Sequence, residues 1–98
     1  MTRIEFAPVV VDDIDRIIDH LLQHEVSDAT ARIQDVVRAI GILERNPLIG
    51  RPVDAIKHEL VIGRHARGHI GLYVYVTVID TAFVLALRSQ TEAGYSRP

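Results

Sequence analysis

The sequence predicts an α+β fold, β-α-α-β-β-β, with a helical hairpin packed on one face of a mostly antiparallel sheet. Three observations predict it. Residues 69–87, HIGLYVYVTVIDTAFVLAL, place Ile70, Leu72, Val74, Val76 and Val78 at every second position, and the rhythm resumes after Asp80-Thr81; a period of two marks strands. Residues 8–24 and 28–45 instead repeat apolar side chains at intervals of three and four, the period of a helix lying on a core. A chain of 98 residues can build one core but hardly two, so both helices must cover the same sheet and residues 1–98 form a single domain.

The elements follow in order. Ile4 and Phe6 alternate with Arg3 and Glu5, which predicts a short strand with one buried face. Pro8 stops the strand and suits a first helical turn, while Asp12, Asp13 and Asp15 put negative charge where a helix N-terminus is partly positive. The helix over 8–24 carries Val10, Ile14, Ile17 and Leu21, and Val11, Ile18 and Leu22 widen that stripe into the face expected against the sheet. Ser27 and Asp28 are capping residues for a helix over 28–45, whose stripe is Ala29, Ile33, Val36, Val37, Ile40 and Leu43. Asn46-Pro47 ends it, because the residue before a proline is pushed out of the α region. Gly41 within this helix costs about 1 kcal/mol relative to alanine, a loss that a close approach to the first helix or the sheet would offset.

Residues 46–53 hold two prolines and a glycine and read as a surface turn. Residues 59–62 form a short strand, and Gly63 and Gly68 bracket a basic loop, Arg64-His65-Ala66-Arg67, before the long strand. The hairpin turns at Asp80-Thr81-Ala82. The row Ile70, Leu72, Val74, Val76 and Val78 has no polar member and is expected beneath the helices. Tyr73 and Tyr75 then project from the opposite face toward a partner, tyrosine being a frequent hot-spot residue. Residues 90–98 offer little to a core beyond Tyr95 and read as a tail that a partner would order.

Composition narrows the function. With 48% hydrophobic and 24% charged residues the chain is of ordinary globular type. It has no uninterrupted apolar run of the roughly 18 residues that a membrane span needs, so no membrane partner is expected. The start Met1-Thr2-Arg3-Ile4 shows no secretory pattern, and the absence of cysteine excludes disulfides and thiolate ligands, so a cytoplasmic location is expected. The net charge of −2 argues against a dedicated nucleic-acid binder, and no direct sequence-specific nucleic-acid contact is expected. That average conceals an asymmetry: residues 1–46 hold five Lys/Arg and nine Asp/Glu, residues 47–98 six and four. His20 and His24 have the spacing of one helical face but lack a third ligand, and His65 and His69 read as loop residues. Neither a metal site nor a cofactor is expected.

Taken in order, several segments resemble the RelE/ParE superfamily of toxins from bacterial toxin–antitoxin modules. They are Phe6-Ala7-Pro8, Asp12-Asp13-Ile14, Leu43-x-x-x-Pro47-x-x-Gly50-Arg51-Pro52, Glu59-Leu60-Val61-Ile62, Tyr73-x-Tyr75 and Arg88-Ser89-Gln90-x-Glu92-x-x-Tyr95. The connector at 46–52 and the strand at 59–62 look most like the ParE branch. The resemblance implies a plasmid-stabilising, growth-arresting toxin that inhibits DNA gyrase by binding and is neutralised by a cognate ParD-like antitoxin. The sister branch, similar to RelE, consists of ribosome-dependent mRNA endoribonucleases. These commonly carry an arginine two or three residues before the tyrosine of the central strand, where this chain has Ile70-Gly71. The single Lys57 also leaves no lysine cluster to grip a transcript. The expectation is a binding inhibitor with no catalytic residue of its own, with ribonuclease activity as the alternative. Partner contacts, to antitoxin or gyrase, are expected at Arg51, Arg64, Arg67, Tyr73, Tyr75, Arg88 and Tyr95.

Overall fold

The computed structural model describes residues 1–24, 28–63 and 68–90. Strand β1 (Arg3–Phe6) leads into helix α1 (Val9–Gln23), then helix α2 (Ala29–Ile40) and a 3₁₀ turn (Gly41–Glu44). Strands β2 (Arg51–Pro52), β3 (Lys57–Ile62) and β4 (His69–Val76) follow, and a second 3₁₀ turn (Thr77–Ile79) joins β4 to β5 (Thr81–Ser89). The five strands lie in the order β1-β5-β4-β3-β2, antiparallel throughout except for the parallel pair β1 and β5. The α+β class, the helical hairpin and the mostly antiparallel sheet are as expected. Two placements differ. The connector contains the two-residue strand β2, and β5 lies inside the sheet because β1 returns to flank it.

The larger correction concerns which face of the sheet the helices cover. Tyr73 is 1% exposed and sits in the core with Val10, Ile17, Leu21, Ile33, Val36, Ile40 and Leu43, and Tyr75 packs against the same cluster. Since successive side chains of a strand point to opposite faces, the row Ile70, Leu72, Val74 and Val76 faces away from the helices. Val78 is not in a strand at all: it caps the hairpin turn at 94% exposure. An all-aliphatic row looks like core because it has no polar atom to satisfy, but tyrosine buries more area and needs one partner for its hydroxyl. That partner exists for both tyrosines here. The face away from the helices is not bare, for Ile70 and Ala86 are buried and Leu72, Val74, Val76 and Phe83 half-buried.

An irregularity in β5 adjusts the pairing. Tyr73 lies opposite Val84 and Leu72 opposite Ala86, so Leu85 is the extra residue of a bulge. Before the bulge Ala82 and Val84 face the helices; after it Leu87 does, and all three are buried. Without the bulge, Leu87 would point away from the helices. Burial of a side chain such as Ile40, Leu43 or Leu87 stabilises by about 1.5–3 kcal/mol, and each of these is 1% exposed.

Helix α1 carries out a second task where β1 has ended. The last backbone bond from the β1 side is Ala7 N–H to the Val84 carbonyl. Three residues on, Asp13 accepts the Leu87 N–H at Oδ2 (3.0 Å) and Arg16 donates to the Leu87 carbonyl (3.0 Å). These side chains stand in for the missing strand. Asp13 is 1% exposed and its carboxylate also meets Arg16 at 3.4 Å, so the buried charge is both paired and hydrogen-bonded. The buried stripe of α1 is therefore Val10, Asp13, Ile17 and Leu21. Val11 and Leu22, expected inward, are each 59% exposed, and Val37 of α2 is 39% exposed.

Helix α2 ends at Ile40, where the chain tightens into the 3₁₀ turn and swings Leu43 inward. The close approach expected at Gly41 is not found, since a Cβ there would meet nothing within 4 Å. Nor does the Asp28 side chain cap α2; Asp28 adopts a left-handed conformation (φ 60°), and its carbonyl accepts the Arg32 N–H. Ser27 lies outside the described residues.

Candidate functional site

The residues expected to form a contact surface divide between the two faces of the sheet. Arg51 of β2 faces Glu59 of β3, Glu59 faces Leu72, and Leu72 faces Ala86, one row across the side away from the helices. In the next row Val61 faces Ile70, which faces Arg88. Arg51 and Arg88 thus share a face with a half-buried apolar strip between them. Tyr73 and Tyr75 lie on the other side. Arg64, Arg67 and Tyr95 lie outside the described residues, as does His65.

Arg51 donates from Nε and a terminal nitrogen to Oε1 of Glu59, at 3.3 and 3.1 Å. The Arg51 side chain is 60% exposed and that of Glu59 only 12%, so the arginine reaches in over a carboxylate largely withdrawn from water. Its guanidinium binds a carboxylate and not the turn carbonyls. The Arg88 side chain is half-buried, with one terminal nitrogen 3.3 Å from the Ser89 carbonyl.

Tyr73 holds the connector against the sheet. Its hydroxyl accepts the Gly50 N–H at 2.9 Å, a buried bond linking positions 23 residues apart. Burial pushes the Tyr73 phenol up from its ordinary pKa, opposed in part by this donor, so the ring stays neutral. Gly50 has to be glycine, because a Cβ there would lie 2.7 Å from the Tyr73 ring and 2.8 Å from the Glu59 carbonyl. The His58 ring stacks on Tyr73 with centroids 5.6 Å apart. Gly50-Arg51-Pro52 is therefore set by one buried phenol and one carboxylate, and Arg51 projects from a fixed turn.

Tyr75 belongs to a second cluster at the far end of the hairpin. Its hydroxyl and the Thr2 hydroxyl both donate to Oδ1 of Asp80, each at 2.6 Å. Asp80 takes the left-handed conformation that closes the turn (φ 46°), which aspartate tolerates better than most residues. The Thr2 and Tyr75 donors hold the Asp80 carboxyl below its ordinary range, and the hydrogen bond to Asp80, with its charge, raises the Tyr75 phenol. Backbone bonds from Thr2 to Glu44 and from Arg3 to Asp80 complete the tie between the N-terminus, the 3₁₀ turn and the hairpin.

Exposed apolar side chains lie elsewhere. Leu48, Ile49, Val53 and Ile56 surround β2 at 51–63% exposure. On α1, Val11 and Leu22 are eleven residues apart, close to three full turns, so with half-buried Ile18 they line one stripe, flanked by exposed Asp12, Asp15 and Asp19. Among the described residues no group of three or more His, Asp or Glu side chains could hold a metal ion. His20 and His24 pack ring to ring at 4.3 Å, with the His24 Nδ1 2.9 Å from the His20 carbonyl.

The sequence reading missed Asp13, Arg16, Glu59 and Asp80. For Asp13 a signal existed, since it falls three residues after Val10 and four before Ile17, on the buried line of the helix. Its place in an acidic first turn disguised it.

These features define a small α+β protein whose exposed apolar and cationic groups lie on fixed surfaces and not in a deep cleft. The chain matches, over residues 4–94, the family model of the ParE toxin of type II toxin–antitoxin systems, parDE. It belongs to that toxin family. No curated protein matches the chain.

Proposed function

We propose that this toxin arrests growth by binding DNA gyrase, stabilises the plasmid or locus that carries it, and is neutralised by a cognate ParD-like antitoxin in the cytoplasm. Membership of the ParE family supports the gyrase target, which rests on that kinship and not on a physical derivation. The observation that carries a binding mechanism is the stripe on α1 formed by exposed Val11 and Leu22 with half-buried Ile18 between them. Such a stripe fits the apolar face of an amphipathic antitoxin helix, and the flanking Asp12, Asp15 and Asp19 favour basic residues on that helix. Across the sheet, acidic antitoxin side chains would meet Arg51, Arg64, Arg67 and Arg88, with Tyr95 adding an aromatic contact. Tyr73 and Tyr75 support these surfaces from beneath, one through Gly50 and the other through Asp80. Among the described residues no helix is long and apolar enough to cross a membrane.

The ribonuclease alternative has less support. Tyr73 of the central strand lies in the core with its hydroxyl engaged by Gly50. A supercoiling assay tests the proposal: purified toxin added to gyrase, ATP and relaxed plasmid abolishes supercoiling and accumulates cleaved DNA, and antitoxin reverses both. Normal supercoiling at excess folded toxin, together with discrete cleavage of cellular transcripts in primer extension, would transfer the activity to the ribosome.

A further inference from the structure

At the end of the sheet away from the hairpin turn, α2 and the ends of β3 and β4 enclose an open cavity of about 210 Å³ lined by Arg32, Asp35, Val36, Ile62, Gly63 and His69. His69 is 5% exposed, and among the described residues its ring makes no hydrogen bond. Arg32 is half-buried and forms no ion pair among the described residues. Two groups that carry or can take positive charge therefore line one small cavity, with Asp35 the one anionic side chain of its described lining. Desolvation and the Arg32 charge hold the imidazole below its ordinary pKa, in the neutral form. Asp35, the other charged group of the lining, is turned to Arg38 at 3.0 Å, and both of those side chains are more than 70% exposed. An arginine and an imidazole that line one small cavity beside apolar walls make it a place suited to an anionic group.

We infer that this cavity receives one carboxylate, an acidic side chain of the antitoxin, with Arg32 and His69 as its two donors and Val36 and Ile62 as its apolar walls. The inference rests on the proposed antitoxin partnership and adds to it a position and a pH dependence. Arg32 supplies permanent charge and the guanidinium fork that suits a carboxylate. His69 supplies a second charge once it gains a proton, so the bound anion raises the His69 pKa and binding tightens as pH falls. An acidic residue fits better than a phosphate because Asp35 beside the cavity would repel a doubly charged ion more strongly.

The test uses the toxin bound to its cognate antitoxin and the free toxin titrated with acetate. In the complex the His69 ring resonances titrate at higher pH than in the free toxin, and Arg32→Gln weakens antitoxin binding by about tenfold or more at pH 6, as removal of one partner of a close charged pair does. The exposed Arg45→Gln, which removes the same charge elsewhere, changes affinity less than twofold. Acetate moves the His69 resonances of the free toxin saturably, and Arg32→Gln abolishes the response. If the antitoxin binds Arg32→Gln as tightly as wild type and the His69 titration is the same free and bound, the inference fails while the antitoxin reading stands. If no complex forms, the antitoxin reading fails, and a His69 that ignores acetate overturns the carboxylate site as well.

Discussion

Two ion pairs in this molecule share the same chemistry and have opposite stakes. Asp13 and Arg16 meet beneath β5, with the carboxylate side chain 2% exposed and the backbone of Leu87 bonded to both. Arg51 and Glu59 meet at the edge of the sheet, with the arginine 60% exposed. The first pair replaces a strand and serves the backbone of Leu87, so losing Asp13 leaves the Leu87 N–H unserved where little water reaches. The second lies over a turn already fixed by Gly50 and Tyr73, and water can take its place. Burial, more than distance, decides what a salt bridge is worth.

The strongest way to break this contrast is Asp13→Ala. It leaves the Leu87 N–H without its Asp13 acceptor and takes the Asp13 carboxylate away from Arg16, and the expected loss is about 3–5 kcal/mol of unfolding free energy in urea titration. A loss below about 1 kcal/mol would mean that solvent replaces the carboxylate freely and that β5 does not depend on α1 for its backbone bonds.

The next effect sharpens the account of the exposed pair by attacking what lies under it. Gly50→Ala places a Cβ 2.7 Å from the Tyr73 ring and 2.8 Å from the Glu59 carbonyl, and the carbonyl belongs to a paired strand that cannot swing aside. The expected cost is about 1–3 kcal/mol, the range for overpacking, together with loss of the Gly50–Tyr73 hydrogen bond and faster exchange of the Gly50 amide. Arg51→Gln, by contrast, costs under about 1 kcal/mol because the guanidinium is mostly in water. If Arg51 matters to the toxin, the variant shows it as weaker antitoxin or gyrase binding at unchanged thermal stability. A destabilisation equal to that of Asp13→Ala would erase the distinction between the two pairs.

The same contrast explains what could be read from the sequence. Periodicity located α1, α2, β3 and the β4–β5 hairpin, because the spacing of Val10, Ile17 and Leu21, or of Ala29, Ile33, Val36 and Ile40, is a property of one segment by itself. It did not show which face of β4 meets the helices. Both rows of that strand are apolar enough to be buried, and the choice depends on whether hydroxyl partners exist for Tyr73 and Tyr75. Those partners, Gly50 and Asp80, come from other parts of the chain. The bulge at Leu85 was invisible for the same reason, since a run of apolar residues looks alike in either register. Of the expected contact residues, Arg51 and Arg88 fall on one face only through the pairing of β2, β3, β4 and β5, which no local pattern shows. The Arg32–His69 cavity could not be seen, because 37 positions separate residues that only the packing of α2 against the sheet brings together.

The smallest expected effect concerns Asp80, an exposed carboxylate that nonetheless accepts two short hydrogen bonds, and so stands between the two ion pairs in kind. Its pKa is lowered in the folded protein by the Thr2 and Tyr75 donors. A lowered folded pKa means that the charged form contributes stability above the unfolded pKa, and that this contribution disappears as pH falls through the folded value. Asp80→Asn keeps an oxygen acceptor and tolerates the left-handed backbone, so it removes the charge and little else. Wild type should therefore melt a few degrees or less above Asp80→Asn at neutral pH, and the gap should close in the acid range, at and below the ordinary aspartate pKa. Tyr75 gives an independent reading, because its phenol is raised by the hydrogen bond it donates to the same carboxylate and by that charge; in Asp80→Asn it should ionise at lower pH, visible in the ultraviolet titration of the folded protein. A melting gap that stays constant down to acid pH, with an unmoved Tyr75 titration, would mean that backbone geometry at the turn, and not the charge on Asp80, ties the hairpin to the N-terminus.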